Sequence, residues 1–276
     1  MIDAHCHLNF HSFEKDIDQV VEDARKSGVT KIVNVGTSIL SSKKAVELAN
    51  KYPDMYAIVG IHPHHADKVD LEYEGELPKN WLEELEVLAS NKKVIAIGEI
   101  GLDHHFYKSN GIVEKKLQRD VFQKQIDLAQ KLNLPLQIHN RLAGEDIIKM
   151  LIANREKLRK VPGMFHCFAG TKDVLNNALE LGFYIGFDGN ITYKGLAPGE
   201  SVELKELVLE TPIDRILVET DSPFLTPIPL RGTRNVPKNV IITAQYISKL
   251  KGIDYKFLEK SIYENFSKVF EQKVAK

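Results

Sequence analysis

The chain lacks the features that mark secreted, membrane or nucleic-acid-coating proteins. It has two cysteines, Cys6 and Cys167, too few for a disulfide framework and suited to a reducing compartment. No apolar stretch approaches bilayer-spanning length, and no charged leader precedes one. The formal net charge is −1, which excludes a polybasic arm or a basic membrane-facing surface, so any nucleic-acid contact must be local. Low-complexity tracts and Pro/Gly-rich linkers are missing too. A cytoplasmic protein is the expectation. Its 276 residues, 43% of them hydrophobic, suffice for one α/β barrel or two ordinary domains. Both cysteines read as small buried hydrophobes facing away from the histidines beside them.

What is present is a repeating unit: an apolar run of strand length, a polar or glycine-containing turn, then a helical pattern. Candidate strands lie at 2–8, 31–36, 56–62, 94–99, 135–139, 163–167, 183–187 and 215–220. Between two of them, residues 113–133 place Leu117, Val121, Phe122, Ile126 and Leu128 near helical spacing. Eight such strands with intervening helices predict a (β/α)8 TIM barrel, a single domain over 1–276. The alternative, an open doubly wound sheet, normally carries a glycine-rich turn after its first strand. Here NFHSFEKD follows Leu8.

A barrel collects its active-site groups at the C-terminal ends of its strands. His5 and His7 end the first, His62 and His64 the third, Glu99 the fourth, His139 the fifth, His166 the sixth, and Glu219 and Asp221 the eighth. In an extended strand His5 and His7 point the same way, and two imidazoles crowded on one face call for a cation between them. His5, His7, Glu99, His139, His166 and Asp221 together supply four nitrogens and two carboxylates, too many for one open tetrahedral site. They suit two divalent ions (Mg, Mn or Zn) about 3.5–4 Å apart and sharing a carboxylate. Glu99 is the candidate bridge.

The ordered series continues with GEIGLD at 98–103, IHNR at 138–141, FHCFAG at 165–170 and ETDSPF at 219–224. With GIHPH at 60–64, GNITYKG at 189–195, LRGTRNVP at 230–237 and ENFSKVF at 264–270, it resembles the TatD family of metal-dependent deoxyribonucleases, amidohydrolase-like TIM barrels. The resemblance implies that His5, His7, Glu99 and Asp221 hold one metal while Glu99, His139 and His166 hold the second. It also implies that Asp221 takes the proton of the attacking water. Ala169 and His104 depart from the family pattern, which more often has serine and tyrosine there; neither is among the six ligands.

His64 reads as a substrate-phosphate contact, and His62 has no assigned role. Arg141, Lys194, Arg231 and Arg234 follow strand ends and are candidate phosphate cations at the barrel mouth. Glu219 is expected to share an inward face with Asp221 and orient a ligand, Asp3 to be satisfied inside the barrel, and Asp103 to fix a turn or orient an imidazole. Trp81, Phe106 and Tyr107 are read as core rather than base-stacking groups.

The expected activity is DNA phosphodiester hydrolysis by a metal-bridged hydroxide, with Asp221 and Glu99 as the catalytic pair. The family implies 3′-to-5′ exonuclease action, and a narrow barrel mouth, which admits a strand end more readily than a duplex, points to single-stranded or damaged ends. A two-metal hydrolase of a cyclic amide, lactone or small ester is the alternative, though many of those bridge their metals with a carbamylated lysine. A non-catalytic metal-stabilised binding protein comes third, since such a descendant would be expected to lose ligands.

Overall fold

The computed structural model of the protein describes residues 1–68, 79–108 and 111–271. Parallel strands β1 (Ile2–Cys6), β2 (Lys31–Val35), β3 (Met55–Val59), β4 (Val94–Asp103), β5 (Leu136–Arg141), β6 (Gly163–Phe165), β7 (Tyr184–Phe187) and β8 (Ile216–Val218) pair in sequence order. Helices α1 (Ile17–Lys26), α2 (Ile39–Lys51), α3 (Trp81–Ala89), α4 (Lys115–Leu132), α5 (Gly144–Ala153), α6 (Lys172–Glu180), α7 (Leu204–Glu210), α8 (Val240–Lys251) and α9 (Tyr255–Phe266) surround them. Strands such as KIVNV and ILV bury side chains on both faces, one toward the barrel interior and one toward the helices, so they read as continuous apolar runs.

Local signals set the helix ends. Ser38 and Ser41 form a reciprocal capping box at the start of α2, and the Thr171 and Asp254 side chains cap α6 and α9. Asn133 and Gly252 close α4 and α8 in the left-handed conformation. Helix α4 buries Val121, Phe122, Ile126 and Leu128 as its periodicity predicts, but it also buries Gln118 and Gln125. Each glutamine satisfies backbone at or just past a strand end: Gln125 bonds both the N–H and C=O of Ile61, two residues beyond β3, and Gln118 those of Asp103 at the end of β4.

The barrel closes between β1 and the segment that continues β8. Cys6 bridges Ser222 in parallel, His7 N donates to Ser222 O at 2.7 Å, and Asp221 N donates to His5 O at 2.9 Å. Beneath them the buried Asp3 carboxylate accepts the Thr220 N–H at 2.9 Å and the Thr220 hydroxyl at 2.7 Å. Asp3 thus ties the seam that positions His5, His7 and Asp221.

Several strand ends differ from the apolar runs. Strand β4 runs past Glu99 to Asp103, pairing Leu102 with Asn140 and Asp103 with Arg141. Only a glycine permits this: Gly101 has φ 144°, and a Cβ there would lie 2.1 Å from His139 O. Strand β8 stops at Val218, and Asp221 has φ 52°, so the backbone leaves strand geometry at Asp221 while Glu219 and Asp221 both face the histidines. Likewise β6 stops at Phe165 and Cys167 has φ 43°, which takes its thiol out of the strand pattern and within 3.4 Å of Asn190 Nδ2. Among the described residues, no helix is long and apolar enough to cross a membrane.

Candidate metal centre

The ring protons of His5 and His7 are fixed by what lies behind each ring. His7 Nδ1 faces the Val35 carbonyl at 2.9 Å, and a carbonyl only accepts, so the proton is on Nδ1. Gln137 Nε2 must donate to Ala4 O at 3.0 Å, which turns its Oε1 toward His5 Nδ1 at 2.8 Å and places that proton on Nδ1 too. With both rings neutral, two bare Nε2 lone pairs lie 3.0 Å apart and repel each other. Burial disfavours charge on His7, but Asp221 and Glu99 outweigh it and raise the ring above its ordinary value, so a proton on His7 Nε2 relieves the repulsion in the metal-free protein and a divalent ion can take its place.

Two carboxylate oxygens complete the group. Asp221 Oδ1 is 3.5 Å from His5 Nε2 and 3.3 Å from His7 Nε2, and Glu99 Oε2 is 3.7 Å from each. Zinc bonds of about 2.0–2.2 Å in tetrahedral array put donors roughly 3.3–3.6 Å apart. The spacing of His5, His7 and Glu99 fits one coordination sphere, and Asp221 Oδ1 stands at a matching distance from both rings.

The other oxygen of Glu99 faces a second group. Oε1 lies 2.7 Å from His139 Nδ1 and 2.8 Å from His166 Nε2. Glu99, 3% exposed and joined to Gly98 by a cis peptide, thus divides its two oxygens between the two sets of histidines. Behind the second group, His139 Nε2 meets Asp103 Oδ2 at 3.1 Å and His166 Nδ1 lies 3.6 Å from Glu219 Oε1. Gly186 makes room for that glutamate, since a Cβ there would come within 2.9 Å of both carboxylate oxygens.

The electrostatics follow the geometry. Burial disfavours charge on Glu99, but the His166 and His62 rings and the bonds from His139 and His166 outweigh it and hold the carboxyl well below its usual range. His139 is opposed by burial and favoured by Asp103 and Glu99, which push it up to about 9. His166 is likewise raised well above its ordinary value, burial being outweighed by Glu99 and Glu219. Without metal, protons occupy the Glu99 side of this second group; a divalent ion supplies the same positive charge to the same three side chains.

His5 moves the other way, held neutral by burial and by the His166 and His7 rings. His62 is also held neutral, by burial and by His139. Its Nδ1 accepts the His64 N–H at 3.1 Å, which leaves its proton on Nε2, 3.5 Å from Glu99 Oε1. In that tautomer His62 is a donor toward the Glu99 carboxylate.

The predicted substrate cations are spread around the mouth. Arg141 Nη1 donates to Tyr107 OH at 2.8 Å, Lys194 is exposed beyond β7, and the exposed Arg231 lies 3.9 Å over the Tyr193 ring. His64 packs edge-on against Tyr107. Arg234 is committed elsewhere, to Asp16 and the Ser12 carbonyl. Trp81 is core at 7% exposure, but Phe106 is 64% exposed and Tyr107 bonds the Asp103 carboxylate. Sequence reasoning missed Gln137, although its position two residues before His139 puts it on the same inward face.

A closed parallel barrel with two histidine–carboxylate groups at the C-terminal ends of its strands defines a hydrolase that works through metal ions. The family model described as TatD related DNase matches residues 2–271, and the chain belongs to that TatD family. It is 38% identical over 270 residues to a Bacillus subtilis protein described as the uncharacterized metal-dependent hydrolase YabD, covering 98% of each chain. It is 35% identical over 259 residues to the Erwinia tasmaniensis "3′-5′ ssDNA/RNA exonuclease TatD", covering 92% of this chain and 93% of the relative. Among solved structures, the Escherichia coli K12 TatD homologue YjjV superimposes with a TM-score of 0.85 at 25% identity, covering 99% of this chain and 98% of the other. The protein is a TatD-family metal-dependent hydrolase.

Proposed function

We propose that the protein is a deoxyribonuclease that removes nucleotides from the 3′ end of single-stranded or damaged DNA, using two divalent ions. The observation that carries this reading is the division of Glu99, with Oε2 toward His5, His7 and Asp221 and Oε1 toward His139 and His166. The relative whose printed name is a 3′-5′ exonuclease on single-stranded DNA and RNA supports the polymer and the direction.

In this reading His5, His7, Glu99 and Asp221 hold one ion and Glu99, His139 and His166 the other. Bound there, such ions polarise a phosphodiester and activate water for in-line attack. Asp221 offers Oδ1 to the histidine pair and keeps its second oxygen to take the water's proton. His64, Arg141, Lys194 and Arg231 bind the phosphates, replacing solvent as partners for the substrate's charge. With Glu99 as the bridge, the centre needs no modified lysine, which separates it from the cyclic-amide chemistry.

The test is nucleotide release from a single-stranded oligomer labelled separately at each end, using metal-loaded protein with chelator and Asp221→Asn controls. Stepwise loss from the 3′ end, abolished by both controls, is expected. An intact oligomer in the presence of confirmed bound metal overturns the reading.

A further inference from the structure

Asp103 is 1% exposed, belongs to neither donor group around Glu99, and gathers more polar contacts than a turn requires. Its Oδ1 accepts the His105 N–H at 2.9 Å, which completes the turn after β4. Its Oδ2 accepts the Tyr107 hydroxyl at 3.0 Å and meets His139 Nε2 at 3.1 Å. His64 Nε2 also comes within 3.1 Å of Oδ2, but out of hydrogen-bonding alignment and with no other partner. The Tyr107 oxygen in turn accepts from Arg141 Nη1 at 2.8 Å, and the Arg141 guanidinium lies 5.2 Å over the Tyr107 ring.

We propose that Asp103 is a positioning residue with two arms, one orienting His139 toward Glu99 and the other holding Arg141, through Tyr107, for a substrate phosphate. The first arm follows from acceptor chemistry. A carboxylate oxygen facing Nε2 keeps the ring proton there, so Nδ1 is the nitrogen left to bind a cation beside Glu99. The second arm follows from the direction of the Tyr107 hydroxyl. Its single proton goes to Asp103, so its oxygen must accept, and the partner is the Arg141 guanidinium. His64 is the spare donor: with Oδ2 already engaged twice, moving His64 onto a phosphate leaves no bond of Asp103 unmade. The Asp103 backbone is held independently by Gln118, through both its N–H and its C=O, so a side-chain change leaves the strand end in place.

The second arm rests on the nuclease reading; the first rests only on the metal centre. Metal binding to apoprotein is measured by calorimetry with Zn²⁺ and Mn²⁺, alongside kcat and KM on a single-stranded oligomer and on bis(4-nitrophenyl) phosphate. Asp103→Asn is expected to weaken one of two metal equivalents by about 10–100-fold while sparing the other. Tyr107→Phe is expected to leave both metal affinities unchanged and to raise KM for the oligomer several-fold at constant kcat. Circular dichroism and melting curves identify a variant that has lost its fold, and Asp103→Glu then serves as the replacement. Equal weakening of both metals in a folded Asp103 variant, or unchanged affinity for both, overturns the first arm. An unchanged KM in Tyr107→Phe overturns the second. Failure of the wild type to cut the oligomer rejects the nuclease reading and the second arm with it, and the calorimetry still decides the first.

Discussion

His5 and His7 face each other through Nε2 atoms 3.0 Å apart, and each ring has committed its proton behind it, to Gln137 and to Val35. The remaining Nε2 atoms converge beside Asp221 and Glu99, which favour a proton on His7 when no ion is present. A divalent ion supplies that positive charge to all four side chains at once.

Metal loading is therefore expected to stabilise the fold. At an ion concentration 100 times the dissociation constant, mass action gives about 2.7 kcal/mol. Thermal melts with and without chelator check this, and a metal-free protein melting at the same temperature as the loaded one would count against it.

In the metal-free protein His139 is raised to about 9 from an ordinary 6.5, and His166 and His7 move the same way. A raised histidine contributes stability that is complete below about pH 6.5 and is lost as pH rises through about 9. His5 and His62, held neutral, act in the opposite sense and only toward acid. The apoprotein should thus lose stability between about pH 6.5 and 9 while metal affinity rises over the same window, because each ion displaces those protons. Melts and metal titrations at half-unit pH steps report both trends.

Gln137 Oε1 keeps the His5 proton on Nδ1, so Gln137→Leu frees the ring to hold its proton on either nitrogen. Metal affinity is expected to fall about 10–100-fold at the His5 and His7 group. Calorimetry on the folded variant measures it, and an unchanged isotherm would show that the glutamine does not set the tautomer.

Gly101→Ala places a methyl 2.1 Å from His139 O at a φ of 144°. The conformation alone is expected to cost about 1–3 kcal/mol, with the clash adding to it. A lower melting temperature together with weaker metal binding is the expected pair; a stable variant with normal binding would mean that β4 and β5 can separate freely at this point.

Most of the barrel was legible because its strands are apolar runs separated by helical periodicity, and the ligand candidates stand where those runs end. What resisted reading was backbone direction after a strand. Nothing in Cys167 or Asp221 as residue types announces φ values of 43° and 52°. Glu219, expected on an inward face where it could orient a ligand, has its Oε1 3.6 Å from His166 Nδ1. The clamps of α4 were hidden for a different reason. Gln118 and Gln125 look like the helix's solvent face, and their burial makes sense only once the backbone groups of Asp103 and Ile61 that they satisfy are in view. Asp103 reads from the sequence as fixing a turn or orienting an imidazole, and the structure has it on the turn through Oδ1 and against His139 through Oδ2; what stayed hidden was that Tyr107 and His64 converge on the same oxygen.

The most direct test is calorimetric titration of Zn²⁺ or Mn²⁺ into the apoprotein and into its Glu99→Gln variant, with the bound metal counted by elemental analysis. Two equivalents in the wild type, and loss of affinity at both sites in Glu99→Gln, are the expected results of one carboxylate serving two ions. A single equivalent in the wild type, or a variant that loses one site and keeps the other at full affinity, would contradict the shared role of Glu99.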